Sequence, residues 1–182
     1  MQTPKITFEP WPKIPRLFRD VIITEKIDGT NAGIYIDDEG RIFASSRKRW
    51  ITPERDNFIF ARWVKENAET LVADLGPGMH FGEWWGAGIQ RRYDRAEKYF
   101  SLFNVSKWKE AEGTFKTPRL GVVPVLWEGA FTDMNLELVA DGLIQHGSVA
   151  SPGFMSPEGI VIFHVAANQC FKFTFDGDGH KG

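Results

Sequence analysis

Cysteine is almost missing from this 182-residue chain, and so are the features of an exported or membrane-inserted protein. The one cysteine, Cys170, excludes a disulfide framework within the chain and fits a reducing compartment. No apolar run is long enough to cross a bilayer, and the first residues lack the charged-then-apolar order of a signal peptide. The sequence therefore predicts a cytoplasmic protein.

Several signatures of binding and catalysis are lacking as well. The four histidines are scattered without the spacing of a zinc site, and there is neither a nucleophile elbow nor a Walker-type phosphate loop. Positive charge is not in excess, because 22 Lys and Arg stand against 24 Asp and Glu, for a net charge of −2. This balance argues against indiscriminate coating of nucleic acid, so a polyanion would have to be met by a local patch.

Strand and helix signals follow one another without regular alternation. Helical spacing of apolar residues predicts one helix from a start at 52–54 to a stop at Gly76, and another from a Thr132 cap to Gly147. Runs of β-branched and aromatic residues predict strands at 21–27, 32–37, 41–45, 79–85, 100–105, 122–127, 158–162 and 171–175. Because strands outnumber helices, the sequence predicts an α+β fold with antiparallel sheets. Its length predicts one domain over residues 1–182.

The segment from Glu25 to Asn31 places a lysine at the end of a strand. An apolar run precedes Lys26, and Asp28-Gly29 supplies turn chemistry before the returning strand, so a ligand can approach closely. Partial desolvation and neighbouring cations can leave such a lysine as a neutral amine that attacks phosphorus. Taken alone, the motif is more typical of a solvated surface hairpin.

Three further segments follow this one in a fixed order. The four are Lys26-Ile27-Asp28-Gly29-Thr30-Asn31, Phe81-Gly82-Glu83-Trp84, Glu158-Gly159-Ile160-Val161-Ile162 and Phe171-Lys172-Phe173. In them, and from about residue 22 to 175, the sequence resembles the covalent nucleotidyltransferase superfamily of ATP-dependent polynucleotide ligases and mRNA capping enzymes. Within that superfamily it is most similar to the RNA ligase family.

The resemblance implies a single nucleotidyltransferase domain, an ATP-grasp-like ligase adenylylation domain with antiparallel sheets flanked by helices. In this family the motif lysine, here Lys26, attacks the α-phosphate of ATP, releases pyrophosphate and carries AMP. The AMP then passes to an RNA 5′-phosphate, and a 3′-hydroxyl seals the strands. Because the transition state spreads negative charge over phosphate oxygens, the reaction needs cations and a metal, for which Mg²⁺ is the usual choice.

The resemblance also implies roles for individual residues. Lys26 and Lys172 are the implied catalytic residues, with Lys172 on the α-phosphate, and Glu158 is the implied metal ligand. Glu83 would contact the ribose and Phe103 would stack on the purine. Phe100 remains an alternative for stacking, because Asn104 stands where the family commonly has an aspartate. The implied nucleotide-binding set is Glu25, Lys26, Asn31, Arg47, Glu83, Phe103, Ile160 and Lys172.

Two departures from the family pattern affect these expectations. The last motif usually has two lysines spaced by one residue, but the positions beside Lys172 are Cys170 and Thr174. Lys181, Arg47 or a loop arginine would have to substitute for the second cation. The chain also ends soon after this motif, so we expect no separate C-terminal OB-fold or RNA-binding domain. That expectation favours ATP over the GTP chemistry of capping enzymes.

A loop rich in Gly and Arg offers a candidate surface for RNA. Arg91, Arg92 and Arg95 are interleaved with aromatic residues, and cations contact phosphates while aromatic rings stack on unpaired bases. A charged loop over the edge of the core explains the same residues equally well.

Two other functions are consistent with the same motifs. A minimal ATP-dependent DNA ligase would use the same lysine motif. A nucleotide- or RNA-binding module with incomplete ligase activity would explain the departure in the last motif.

Overall fold

The computed structural model describes residues 6–176, which form an α+β fold built on two β-sheets, as predicted. The strands are β1 (Asp20–Lys26), β2 (Thr30–Ile36), β3 (Ile42–Ser46), β4 (Trp50–Ile51), β5 (Gly78–Gly86), β6 (Lys98–Leu102), β7 (Leu120–Val122), β8 (Val125–Ala130), β9 (Gly159–His164) and β10 (Gln169–Thr174). The helices are α1 (Phe60–Glu66), α2 (Ala68–Leu75), α3 (Val105–Trp108) and α4 (Asp133–His146). No helix within residues 6–176 is long and apolar enough to span a membrane.

Each sheet contributes one end of a strand to the Lys26 region. The smaller sheet has the antiparallel order β10-β9-β1-β8, and the larger has the order β4-β3-β2-β5-β6-β7, with only β6 and β7 parallel. β1 belongs to the smaller sheet and β2 to the larger one, so the turn at residues 27–29 connects the two sheets directly.

The larger sheet has one face in the core and one face that we call the open face. Ala32, Ile34 and Ile36 alternate along β2 on the buried face. Aromatic residues of the sheet and of α1 pack there, with Phe60 lying 5.0 Å from Phe100 between ring centroids. Because successive side chains of a strand point to opposite faces, Asn31 and Tyr35 lie on the open face of the same strand.

The predicted start of the first helix at Thr52 is wrong. Thr52 and Arg55 instead close a turn, in which the Arg55 N–H donates to the Thr52 carbonyl at 2.9 Å. Phe58 and Ile59 have φ angles of 51° and 63°, a left-handed backbone through which a helix cannot continue. The helix therefore begins at Phe60 and is split into α1 and α2, and it ends at Gly76 as predicted.

Asp56 supplies the cap that the Thr52 signal was expected to give. Its carboxylate accepts hydrogen bonds from the N–H groups of Ala61 at 2.8 Å and Arg62 at 3.0 Å. These are donors that the first turn of a helix cannot pair internally.

Other predicted elements differ mainly at their boundaries. The predicted strand 122–127 is two strands, β7 and β8, separated at Pro124, which has no N–H to donate to a ladder. The predicted strand 100–105 ends at Leu102, and the Asn104 side chain caps α3 by accepting from the Lys107 N–H at 3.2 Å. The Thr132 cap of α4 and its stop at Gly147 are both observed.

Candidate active site

Lys26 and Glu158 meet where two neighbouring strands of the smaller sheet end. β1 and β9 are antiparallel, with Lys26 opposite Gly159, so the residue just before β9 lies beside the lysine. Lys26 Nζ donates to Glu158 Oε2 at 2.6 Å. The two side chains are 24% and 17% exposed, so the ion pair is partly shielded but reachable by a ligand.

Glu83 lies on the open face of the larger sheet and is tied to the turn that follows Lys26. Its Oε1 accepts the Gly29 N–H at 3.0 Å, and its Oε2 accepts from Asn31 Nδ2 at 2.8 Å. Burial of the carboxylate raises the pKa of Glu83 to about 7, although the Asn31 hydrogen bond and the Lys26 charge act in the opposite direction. Glu83 therefore titrates near neutral pH.

Gly29 allows the turn to lie directly against β5. A Cβ atom on this residue would lie 2.5 Å from the Trp84 carbonyl oxygen and 2.8 Å from the Trp85 Cβ. Backbone atoms cannot give way at such distances, so the Asp28-Gly29 pair predicted as turn chemistry is also required by packing.

Glu25 is a buried carboxylate with one free oxygen. Its Oε2 accepts the N–H groups of Val149 and Ala150, both at 2.8 Å. Its Oε1 has no hydrogen-bond partner within the part of the chain that the structure describes. Burial raises the pKa of Glu25, and an unpaired buried acceptor of this kind favours a ligand that donates to it.

A cavity of about 590 Å³ opens between the two sheets beside Glu25. Ala150 is part of its wall, together with Trp85 and Ser101 of the larger sheet and Val125 of the smaller one. Lys26 is not part of that wall, so the cavity does not enclose the lysine.

Arg91 links the two segments that carry Lys26 and Glu158. Its Nε donates to Asp28 Oδ2 at 3.1 Å, and its Nη1 donates to the Ser156 carbonyl at 3.1 Å. Its Nη2 donates to the Asp176 carboxylate. Since Asp28 is two residues after Lys26 and Ser156 two residues before Glu158, one guanidinium holds both segments in place.

Tyr93 also contacts the turn at residues 27–29. Its hydroxyl oxygen accepts the Asp28 N–H at 2.8 Å, and its ring is fully buried against Trp85 and Phe154. Burial raises the pKa of Tyr93, so the phenol stays neutral. The sequence did not indicate the contacts of Asp28 with Tyr93 and Arg91, because residues 63 or more positions apart have no local spacing signal.

The three arginines predicted to bind RNA have different surroundings. Arg91 is engaged as described, and Arg95 donates to the Ala150 carbonyl at 2.9 Å with its guanidinium 5.3 Å from the Tyr99 ring centroid. Arg92 is exposed. Their role in RNA binding stays a prediction.

The two candidate stacking rings differ in exposure. Phe100 is fully buried against Phe60 and Trp63, whereas Phe103, just after β6, is 42% exposed. Of the two rings, only that of Phe103 is available to a ligand. Ile160 is fully buried on β9 opposite Glu25.

Lys172 and Arg47 are the least enclosed of the predicted site residues. Lys172 is exposed on β10 opposite Val161, and the flanking Cys170 is exposed as well. Arg47 is exposed in the turn between β3 and β4. Lys181, one proposed substitute for the second lysine, lies outside the described residues.

Comparison with known proteins identifies the family. The RNA ligase family model matches residues 19–174. The fold matches a Naegleria gruberi RNA ligase mutant in its apo form, with 19% identity over 90% of this chain and 52% of the other, and a TM-score of 0.61. It also matches a Naegleria gruberi RNA ligase mutant with ATP and Mn, with 18% identity, 86% and 49% coverage, and a TM-score of 0.60. No curated protein sequence matches the chain.

The chain belongs to the RNA ligase family. It spans about half the length of the solved structures that it matches.

Proposed function

We propose that this protein is an ATP-dependent RNA ligase that acts through a covalent lysyl-AMP intermediate. The observation that carries the proposal is the position of Lys26, whose amine is held 2.6 Å from Glu158 directly before a turn that Glu83 binds. The family match supports the same reaction class. We further propose that residues 1–182 act as one adenylylation domain.

The adenylylation step forms a bond between Lys26 Nζ and the α-phosphorus of ATP. The bond from that phosphorus to the bridging oxygen of pyrophosphate breaks, and its electron pair leaves with pyrophosphate. Lys26 must first lose a proton, which would pass to Glu158 Oε2, the carboxylate oxygen hydrogen-bonded to its Nζ. Lys172 and Arg47 would offset negative charge on the phosphates from the exposed side of the site.

The nucleoside would be bound by the buried carboxylates. Glu83 would bond a ribose hydroxyl, and the free Oε1 of Glu25 would accept from an amino group of the base. Phe103 is the exposed ring on which a purine can stack, and Ile160 and Asn31 complete the set of nucleotide residues. The Naegleria gruberi structures with ATP and Mn support ATP as the nucleotide.

The residues fit a divalent metal that takes most of its ligands from the nucleotide. Within residues 6–176 no three acidic, histidine or cysteine residues form a metal cage. Glu158 supplies one carboxylate, which suits Mg²⁺ because this ion is usually held by one or two carboxylates together with phosphates and water. When bound, the ion would neutralise charge on the phosphate oxygens.

The later steps use RNA as the second substrate. AMP would pass from Lys26 Nζ to an RNA 5′-phosphate, forming a pyrophosphate linkage and freeing the lysine. A 3′-hydroxyl would then attack that 5′-phosphate, form the phosphodiester and release AMP.

Intact mass of the purified protein, with Mg²⁺ and ATP, GTP or NAD in turn, tests the first step. We expect a gain of one AMP with ATP, its absence in Lys26→Ala, and its retention in the matched control Lys65→Ala, which changes an exposed lysine on α1. An adduct that persists in Lys26→Ala contradicts the assignment. No adduct with any nucleotide, in protein that was not already adenylylated, favours a binding module.

Sealing of matched nicked duplexes tests the second substrate. RNA carrying the 5′-phosphate and 3′-hydroxyl ends is expected to be sealed faster than the DNA equivalent. Equal or faster sealing of DNA would favour the minimal DNA ligase.

A further inference from the structure

Three exposed aromatic side chains lie together on the open face of the larger sheet. Tyr35 on β2, Phe43 on β3 and Trp50 on β4 are 38%, 45% and 61% exposed. Their ring centroids are separated by 6.1 Å for Tyr35 and Phe43, 6.2 Å for Tyr35 and Trp50, and 6.3 Å for Phe43 and Trp50. We call these three residues the aromatic surface.

The aromatic surface lies on the same face of the larger sheet as Asn31 and Glu83, two of the proposed nucleotide residues. Tyr35 is four residues from Asn31 along β2, which at about 3.3 Å per residue is about 13 Å. Stacked nucleotides advance by about 3.4 Å each, so about four of them span this distance. Met79 and Phe81, exposed on the adjacent β5, continue the apolar face between Tyr35 and Glu83.

A basic turn lies beside the aromatic surface. Arg47, Lys48 and Arg49 connect β3 to β4 directly before Trp50, and all three are exposed. None of them forms an ion pair within residues 6–176. Their charge is therefore available to an anionic ligand.

Two of the three acidic residues at the other end of the aromatic surface are already paired. Asp37 and Glu39, in the turn from β2 to β3, both bond Arg41, and Asp38 between them is exposed. The net local charge offered to a ligand is thus positive on the side that faces the lysine site.

We propose that the aromatic surface binds the unpaired bases of a single-stranded RNA whose backbone follows the basic turn towards Lys26. The proposal rests on the function proposed above and names the surface that holds its polynucleotide. Flat rings accept any base on their faces, and cations beside them contact the phosphates, which together favour single strands with little sequence preference. The complementarity of the basic turn to phosphate favours a nucleic acid over a second copy of this chain.

The test measures the affinity of a fluorescently labelled single-stranded RNA of mixed sequence for the full chain by anisotropy. We expect Trp50→Ala to raise the Kd about fivefold or more, and the double variant Tyr35→Ala with Phe43→Ala to raise it further. Trp50→Phe keeps a ring and should restore most of the affinity. Trp11→Ala, which removes another exposed tryptophan before β1, is the matched control and should bind as the unaltered protein does.

A second variant separates the basic turn from the rings. Lys48→Gln with Arg49→Gln should weaken binding and also flatten the dependence of the Kd on salt concentration, because fewer counterions are released. Trp50→Ala should leave that salt dependence unchanged. A Trp50→Ala protein whose salt dependence falls like that of the charge variant would contradict the stacking role.

Adenylylation by ATP, read as intact mass in the same proteins, distinguishes the two proposals. If the unaltered protein takes up AMP and Trp50→Ala binds RNA equally well, the aromatic surface is not the RNA site and the proposed function stands. If Trp50→Ala changes sedimentation from dimer to monomer without changing RNA affinity, the surface is a self-interface and the proposal is overturned. Absence of AMP uptake by the unaltered protein counts against the proposed function itself.

Discussion

Two predicted site residues, Glu83 on the larger sheet and Lys172 on the smaller one, differ in how firmly they are held. Glu83, on the larger sheet, is buried and tied by two hydrogen bonds above a core of aromatic residues. Lys172, on the smaller sheet, is on a strand whose residues 169–173 are all exposed. We therefore expect the Glu83 side of the proposed site to be preformed and the Lys172 side, which is exposed, to be ordered by its ligand.

The largest effect on this comparison is expected from removing the Glu158 carboxylate, which lies between the two sides of the proposed site. Glu158→Ala is expected to slow adenylylation by about 10²- to 10³-fold, because it removes both the partner of Lys26 and the proposed metal ligand. The rate of AMP uptake followed by intact mass measures this. Glu128→Ala, which breaks the exposed pair with Lys109, is the matched control and should leave the rate unchanged.

On the preformed side, Glu83 should make the stability of the protein depend on pH. Because the pKa of Glu83 is about 7 in the folded protein and 4.5 in the unfolded chain, the folded state binds the proton more tightly. The contribution of the Glu83 proton to the free energy of unfolding is fully present below pH 4.5 and is lost as pH rises through 7. At about 1.4 kcal/mol per pH unit, the loss totals about 3 kcal/mol.

Glu83→Gln cannot titrate and should therefore remove this dependence. Denaturant unfolding of both proteins between pH 4 and 8 (roughly the window set by the two pKa values) measures the difference in the free energy of unfolding. Glu25, whose pKa is also raised, is common to both proteins and cancels in the difference. Parallel stability curves would show that Glu83 does not hold a proton near neutral pH.

Removing the cation on the exposed side should affect chemistry and leave stability unchanged. Lys172→Ala is expected to lower the rate of AMP uptake by about 10- to 100-fold, the usual range for one charge-assisted hydrogen bond. Its free energy of unfolding should stay within about 0.5 kcal/mol of the unaltered protein, because the side chain is exposed. A large loss of stability with an unchanged rate of AMP uptake would show that Lys172 holds the fold and does not act in the chemistry.

The smallest effect is expected where one arginine joins the two strand ends. Arg91→Ala should lower the AMP uptake rate by about tenfold, because Asp28 and Ser156 lose their common partner. The neighbouring Arg92→Ala should not, because Arg92 is exposed. If Arg91→Ala instead weakens RNA binding while AMP uptake is unchanged, Arg91 contacts RNA and does not position the site.

Local apolar patterns were sufficient to predict the strands at or beside which Lys26, Glu83 and Glu158 lie. The choice of Glu83 and Glu158 as partners of Lys26 came from the resemblance to the RNA ligase family and not from those patterns. The Thr132 cap was equally readable, because its hydrogen bond to Asn135 spans three residues. Their chemical roles remain predictions.

Contacts between distant segments, and the backbone conformation before α1, could not be predicted from the sequence in this way. The helix signal at Thr52 was overridden by the left-handed backbone at Phe58 and Ile59, a conformation that no propensity indicates for a bulky or a β-branched residue. The Arg91 contacts to Asp28 and Ser156 depend on how distant loops pack.

The position of β10 in the smaller sheet has a consequence for how the protein behaves in concentrated solution. Within the described residues β10 is an edge strand, and Phe171 and Phe173 beside Lys172 are both about half exposed. Unpaired backbone groups on such an edge invite pairing with another chain, and a lysine there opposes it through charge repulsion and hydration. Lys172 is therefore expected to protect the protein against aggregation, and Lys172→Ala should scatter more light at high protein concentration than Lys172→Arg.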